Sequence, residues 1–119
     1  MTVEADLIAR LAPIFGERVY ATNAPEGVQA PYATYQQAGG VPVAFLERQS
    51  MPSKKNGRFQ INTWAETKAE VAALALQVEA AVVLATAFQA EALGGPIDVD
   101  GSLVDLFGQQ QDFSIWSAR

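Results

Sequence analysis

Four residues, Thr67-Lys-Ala-Glu70, do more than any other stretch to limit the folds open to this chain. A threonine three residues ahead of a glutamate is the spacing at which the two side chains satisfy exposed N–H groups at a helix start. No glycine or proline interrupts the residues that follow, and the pattern predicts a helix over about 68–86. Val71, Leu74, Val78, Val82 and Ala85 form one apolar stripe along it. Leu76, Ala80 and Val83 add apolar surface away from that stripe, and alanines keep most of the circumference small. A helix on the surface of a monomer carries more charge on its outer side than this. Either a second layer of the same chain covers that side or another subunit does. A chain of 119 residues has little to spare for a second layer, so Leu76, Ala80 and Val83 are candidate subunit-interface positions.

The rest of the chain reads as one domain, 1–119, built around strands. "RFQINTWA" (58–65) alternates, with Phe59, Ile61 and Thr63 on one face and Gln60, Asn62 and Trp64 on the other. In "APEGVQAPYATYQQ" (24–37), Pro25 and Pro31 hold Ala24 and Ala30 toward extended conformations, and Gly27 allows a reversal between them. They set a rigid entry into a strand that begins at Tyr32, where Tyr32, Thr34 and Gln36 alternate against Ala33, Tyr35 and Gln37. Residues 3–14 place Val3, Leu7, Ile8, Leu11 and Ile14 at helical spacing behind an N-cap at Thr2, with Pro13 ending or kinking the helix. "RVYA" (18–21) is a possible edge piece, 39–49 a loop or irregular strand, and "MPSKKNG" (51–57) a polar turn. A strand broken at Gly94-Gly95-Pro96 and a last strand over about 109–117 complete the order α-β-β-α-β-β. The expected fold is α+β, a mainly antiparallel four-stranded sheet with the helices packed on one face.

Composition removes several function classes. Half the residues are apolar and 18% are charged, which is a folded chain and not a disordered one. No apolar run reaches the roughly 20 residues needed to span a bilayer, so no membrane role is expected. The acidic first residues are unlike a signal peptide and suggest a protein made and kept in the cytosol. With no cysteine and no histidine, the chain lacks thiolate chemistry and the commonest general base and metal ligand. "DVDGS" (98–102) opens like a calcium loop but lacks a third ligand before the glycine and a closing carboxylate, so a hairpin turn at Asp100-Gly101 is the expected reading. Glu66, Glu70, Asp98, Asp100, Asp105 and Asp112 fall at expected caps, turns or solvent faces, and no serine has an elbow motif around it. No catalytic residue, metal site or cofactor is expected.

Arg48, Lys54, Lys55 and Arg58 concentrate four of eight basic residues within eleven positions of a chain whose net charge is -5. The plain reading is a lysine-blunted sheet edge. The functional reading is a loop that contacts an acidic protein surface or a nucleic-acid backbone. No aromatic residue interleaves the four, so base stacking is not indicated.

The order "RVY", "APEGVQAPYATYQ", a polar turn, "RFQINTWAET", an alanine-rich helix and "QQQDFSIW" resembles the tail completion family of long-tailed bacteriophages, also found in prophages and gene-transfer particles. The likeness runs from about Arg18 to Trp116 and rests on motif order. It implies a virion structural protein forming a ring, a hexamer, at the head-proximal end of the tail tube. Such a ring ends tube polymerisation and allows head–tail joining. The implied partners are its own copies, the major tail-tube protein and the head–tail connector, with DNA only as cargo passing through the lumen. The small-sided helix and an open sheet edge would then supply the two unlike patches of a ring contact. The basic cluster fits a neighbouring tail or connector protein better than the lumen, since a strongly basic lumen would retain DNA that must leave. The alternative is a small α+β ligand-binding or regulatory domain with Tyr32, Tyr35, Trp64 and Trp116 lining a pocket, although core packing is the usual role of such side chains.

Overall fold

The computed structural model describes residues 2–44 and 49–119. Among these, the elements in chain order are α1 (Val3–Phe15), β1 (Val19–Ala21), β2 (Tyr32–Gln37), β3 (Lys54–Ala65), α2 (Lys68–Val83), β4 (Gln89–Ala92), β5 (Ile97–Val99) and β6 (Phe107–Ala118), with a 3-10 turn at Ser102–Val104. The sheet has six strands and is mixed, so the class is α+β as expected but the four-stranded count is too low. Its order is β1-β2-β3-β6-β4, with β5 also pairing β6. β1 runs parallel to β2, and every other pairing is antiparallel.

The long ribbon of β3 and β6 is the axis of the molecule, pairing Lys54 with Ala118 at one end and Ala65 with Phe107 at the other. At about 3.3 Å per residue, ten steps along β3 separate Lys54 from Trp64 by roughly 33 Å. That ribbon accounts for a molecule 52 Å long and 26 × 23 Å across. β3 starts at Lys54, so Lys54, Lys55, Asn56 and Gly57 are strand and not the expected turn. Lys54 and Lys55 are exposed, Asn56 is half-buried, and the first buried position is Gly57, which has no apolar side chain to mark the alternation.

Alternation sorts the side chains as expected. Phe59, Ile61, Phe113, Ile115, Ala33 and Tyr35 face the helices and join one buried core with Val3, Leu7, Leu11 and Phe15 of α1 and Val78 and Val82 of α2. Both helices start on threonine caps: the Thr2 hydroxyl accepts from the Ala5 N–H and the Thr67 hydroxyl from the Glu70 N–H, each at 3.1 Å. α1 runs through Pro13 and ends at Gly16, whose φ of 66° suits a residue without a Cβ. Its buried stripe keeps i, i+4 spacing to Phe15, which leaves Ile8 exposed, contrary to the sequence reading. The Arg10 guanidinium donates to the Ala81 carbonyl at 2.7 Å and ties α1 to α2.

β4 and β5 lie one after the other along the same side of β6, β4 beside Phe113–Trp116 and β5 beside Gly108–Gln110. The Gly94-Gly95-Pro96 break thus divides one edge into two short pieces. Asp100-Gly101 is not a tight two-residue hairpin: the chain takes residues 100–106, including the 3-10 turn, to pass from β5 to β6. No helix among the described residues is long and apolar enough to cross a membrane.

Candidate functional site

With both helices on one face, the other face of the sheet is open, and its residues follow from strand register. β2 contributes Tyr32, Thr34 and Gln36, which pair with Trp64, Asn62 and Gln60 of β3. Across β3, Gln60, Asn62 and Trp64 pair with Asp112, Gln110 and Gly108 of β6. Amides dominate the middle of this face, where the Gln36 side chain donates to Gln60 at 2.7 Å. Arg58 is ion-paired with Asp112, its Nε donating to Oδ2 at 3.0 Å.

At the Trp64 end the open face becomes a groove of about 760 Å³. Its floor is Tyr32, Thr34, Gln36, Asn62 and Trp64, and its walls are the loops over 22–28 and 100–106. Trp64 stacks on Tyr32 with ring centroids 6.4 Å apart and planes at 28°, and Tyr20 meets Tyr32 edge-on. The indole Nε1–H donates to the Thr34 hydroxyl at 3.3 Å. Gly108 makes this placement possible, because a Cβ there would lie 2.6 Å from the indole Cζ3. Burial raises the Tyr32 phenol above its usual pKa. The Asn62 Oδ1 is buried, with no hydrogen-bond partner among the described residues. Glu26 and Asp100 stand among the lining residues, which include no lysine or arginine.

The four aromatics expected to line a pocket do not converge. Tyr35 belongs to the helix-packed core. Trp116 shares the open face but pairs with Asn56, eight residues along β6 from Gly108 and so about 26 Å away. Only Tyr32 and Trp64 meet in the groove. Sequence reasoning named those two but missed the groove, because its walls are loops brought together by the fold.

The basic residues occupy the opposite end of the molecule. Lys54 and Lys55 are exposed on β3 and lie on a strand, correcting the loop placement. Neither is in a salt bridge among the described residues. Arg58 is neutralised by Asp112, and Arg48 lies outside the described residues. Arg119 adds a third exposed cation near Lys54 and Lys55, held by its Nε donating to the Pro52 carbonyl at 2.9 Å.

On the helix layer, Val71, Ala75, Val78 and Val82 turn inward. Leu76 is 67% exposed, Val83 40% and Leu84 71%, with Ala80 exposed between them. These side chains give α2 an apolar outer face.

The carboxylates have local employment. Asp98 accepts from Lys68 at 2.8 Å and from Gln109 at 3.2 Å, and these contacts, the lysine first, lower its pKa. Asp100 accepts from the Ser102 N–H at 2.9 Å, which lowers its pKa too. Among the described residues no three carboxylates converge as a metal would require.

No sequence among the curated proteins matches the chain. A protein-family model described as "Tail completion protein gp17" matches residues 5–115, from α1 through most of β6. Helices, groove and nearly all of the ribbon fall within that span, and the chain belongs to the tail completion protein gp17 family, structural proteins of the bacteriophage tail.

Proposed function

We propose that this tail structural protein assembles into a ring, a hexamer, on the head-proximal end of the tail tube, where it ends tube polymerisation and forms the surface that docks to the head connector. The observation that carries this reading is the outer face of α2. Leu76, Ala80 and Val83 of α2, with Leu84 at its C-cap, are exposed together on a domain whose core is already complete without them. Burial of such side chains contributes about 1.5–3 kcal/mol each, so a neighbouring copy has much to gain by covering them. A closed ring needs unlike patches on its two sides, and a helix face set against a different surface of the next copy meets that need. The basic positions Lys54, Lys55 and Arg58 belong to a protein contact in this reading. In this reading the protein resides in the host cytoplasm before assembly and at the head-proximal end of the virion tail afterwards.

Native mass spectrometry of the purified protein, alone and with tail-tube protein, tests the reading. A closed oligomer of fixed copy number, either free or on tube ends, is expected. A strict monomer without affinity for tube ends or connector would overturn it.

A further inference from the structure

The groove and the basic end stand at opposite ends of the long axis, and their chemistries are complementary. The groove presents the half-buried Trp64 ring and the exposed carboxylates of Glu26 and Asp100. At its lip Leu103 is 100% exposed and Val104 53%. An aliphatic stem would cover the lip, and an ammonium at its end would meet the exposed acids beside the Trp64 ring. A lysine side chain is such a group. On the same molecule, Lys54 and Lys55 project from the far end of the ribbon with no salt bridge among the described residues.

We propose that the groove of one copy receives the Lys54–Lys55 end of the next. This inference rests on the ring reading and supplies its second contact. The contact is heterologous, since the donor end and the acceptor end are different surfaces of one chain. The groove opens on the sheet face away from α2, so one copy can engage neighbours through both surfaces at once. The strand edges are poorer candidates for that second patch: β1 has 3 residues, and β4 and β5 have 4 and 3.

Charge reversal tests the contact, because all four charged side chains are exposed and their exchange leaves the core untouched. Lys54→Glu/Lys55→Glu and Glu26→Lys/Asp100→Lys should each keep the native circular dichroism spectrum and weaken self-association roughly tenfold or more. Mixing the two variants should restore association, since the unaltered groove of the first meets the unaltered lysine end of the second and the two reversed surfaces also match. The chain has no cysteine, so Lys55→Cys and Leu103→Cys place single thiols for cross-linking. Mixed and oxidised, alone or on tail tubes, they should give the mixed dimer well above random pairing. A mixed dimer at the random level, or charge variants that associate normally, would overturn the proposal. If Leu76→Asp abolishes association in that case, the ring reading stands without the groove contact. Charge variants that self-associate normally but no longer bind tube or connector would assign the groove to another protein. Wild-type copies that bind neither each other nor tube ends would remove both readings.

Discussion

Single residues decide how the open face is shaped. Gly108, having no Cβ, lets Trp64 lie over it, and Trp64 in turn stacks on Tyr32. Gly108→Ala should therefore displace the indole and destabilise the fold by about 1–3 kcal/mol, measured by chemical denaturation with a matching change in tryptophan fluorescence. Replacing Trp64 itself by leucine should relieve that sensitivity, so that the Gly108→Ala cost largely disappears in the double variant. A second prediction concerns Asp98, whose folded pKa lies below the usual 3.8 because of its bond to Lys68. The stabilisation from a depressed carboxylate is present above the unfolded value and fades as pH falls through the folded one. Lys68→Met should raise the Asp98 titration midpoint, read by NMR, toward but not fully to 3.8, since Gln109 still donates to it. Both side chains of the pair are largely exposed, so little change in overall stability should accompany the shift.

Elements were readable from the sequence where one face is wet and the other dry. The strands at 32–37 and 58–65 and the helix after Thr67 showed their inward and outward residues through alternation and helical spacing. Where that contrast fails, so did the reading. Lys54–Gly57 looked like a turn because the strand starts on two exposed lysines and its first buried position is a glycine, and β1 is too short to declare its parallel pairing. The groove was illegible for a different reason: residues 22–28 and 100–106 meet only after the chain has folded. α2 gives the sharpest test at this scale, because its inner and outer faces differ by two positions. Leu76→Asp should leave the protein folded and impair self-association, as read by light scattering. Val78→Asp places a carboxylate in a site 2% exposed and should unfold the domain or cost more than about 3 kcal/mol.

For the whole molecule, charge is divided along its length. Exposed Lys54, Lys55 and Arg119 stand at one end, and Asp98, Asp100 and Asp105 gather near the other, where Lys68 offsets only Asp98. Contacts between such ends are screened by salt, whereas contacts through the apolar face of α2 are not. Assembly on tail tubes should therefore weaken from low to high ionic strength without vanishing, which sedimentation of tube-bound protein would measure. Complete insensitivity to salt would place all of the binding on apolar surface. Added to polymerising tube protein, the chain should also shorten the tubes in proportion to its concentration, as counted by electron microscopy, and Leu76→Asp should blunt that effect.

The broken rim beside β6 has a consequence for what the chain refuses to build. A sheet invites endless growth wherever an unpaired border is long enough for a newcomer to zip onto. Here one border is a three-residue stub and the other is cut in two by Gly94-Gly95-Pro96, so neither offers a template. In the terminating role proposed above, a stopper must not become the seed of another polymer, and this interrupted margin offers backbone-to-backbone propagation no foothold.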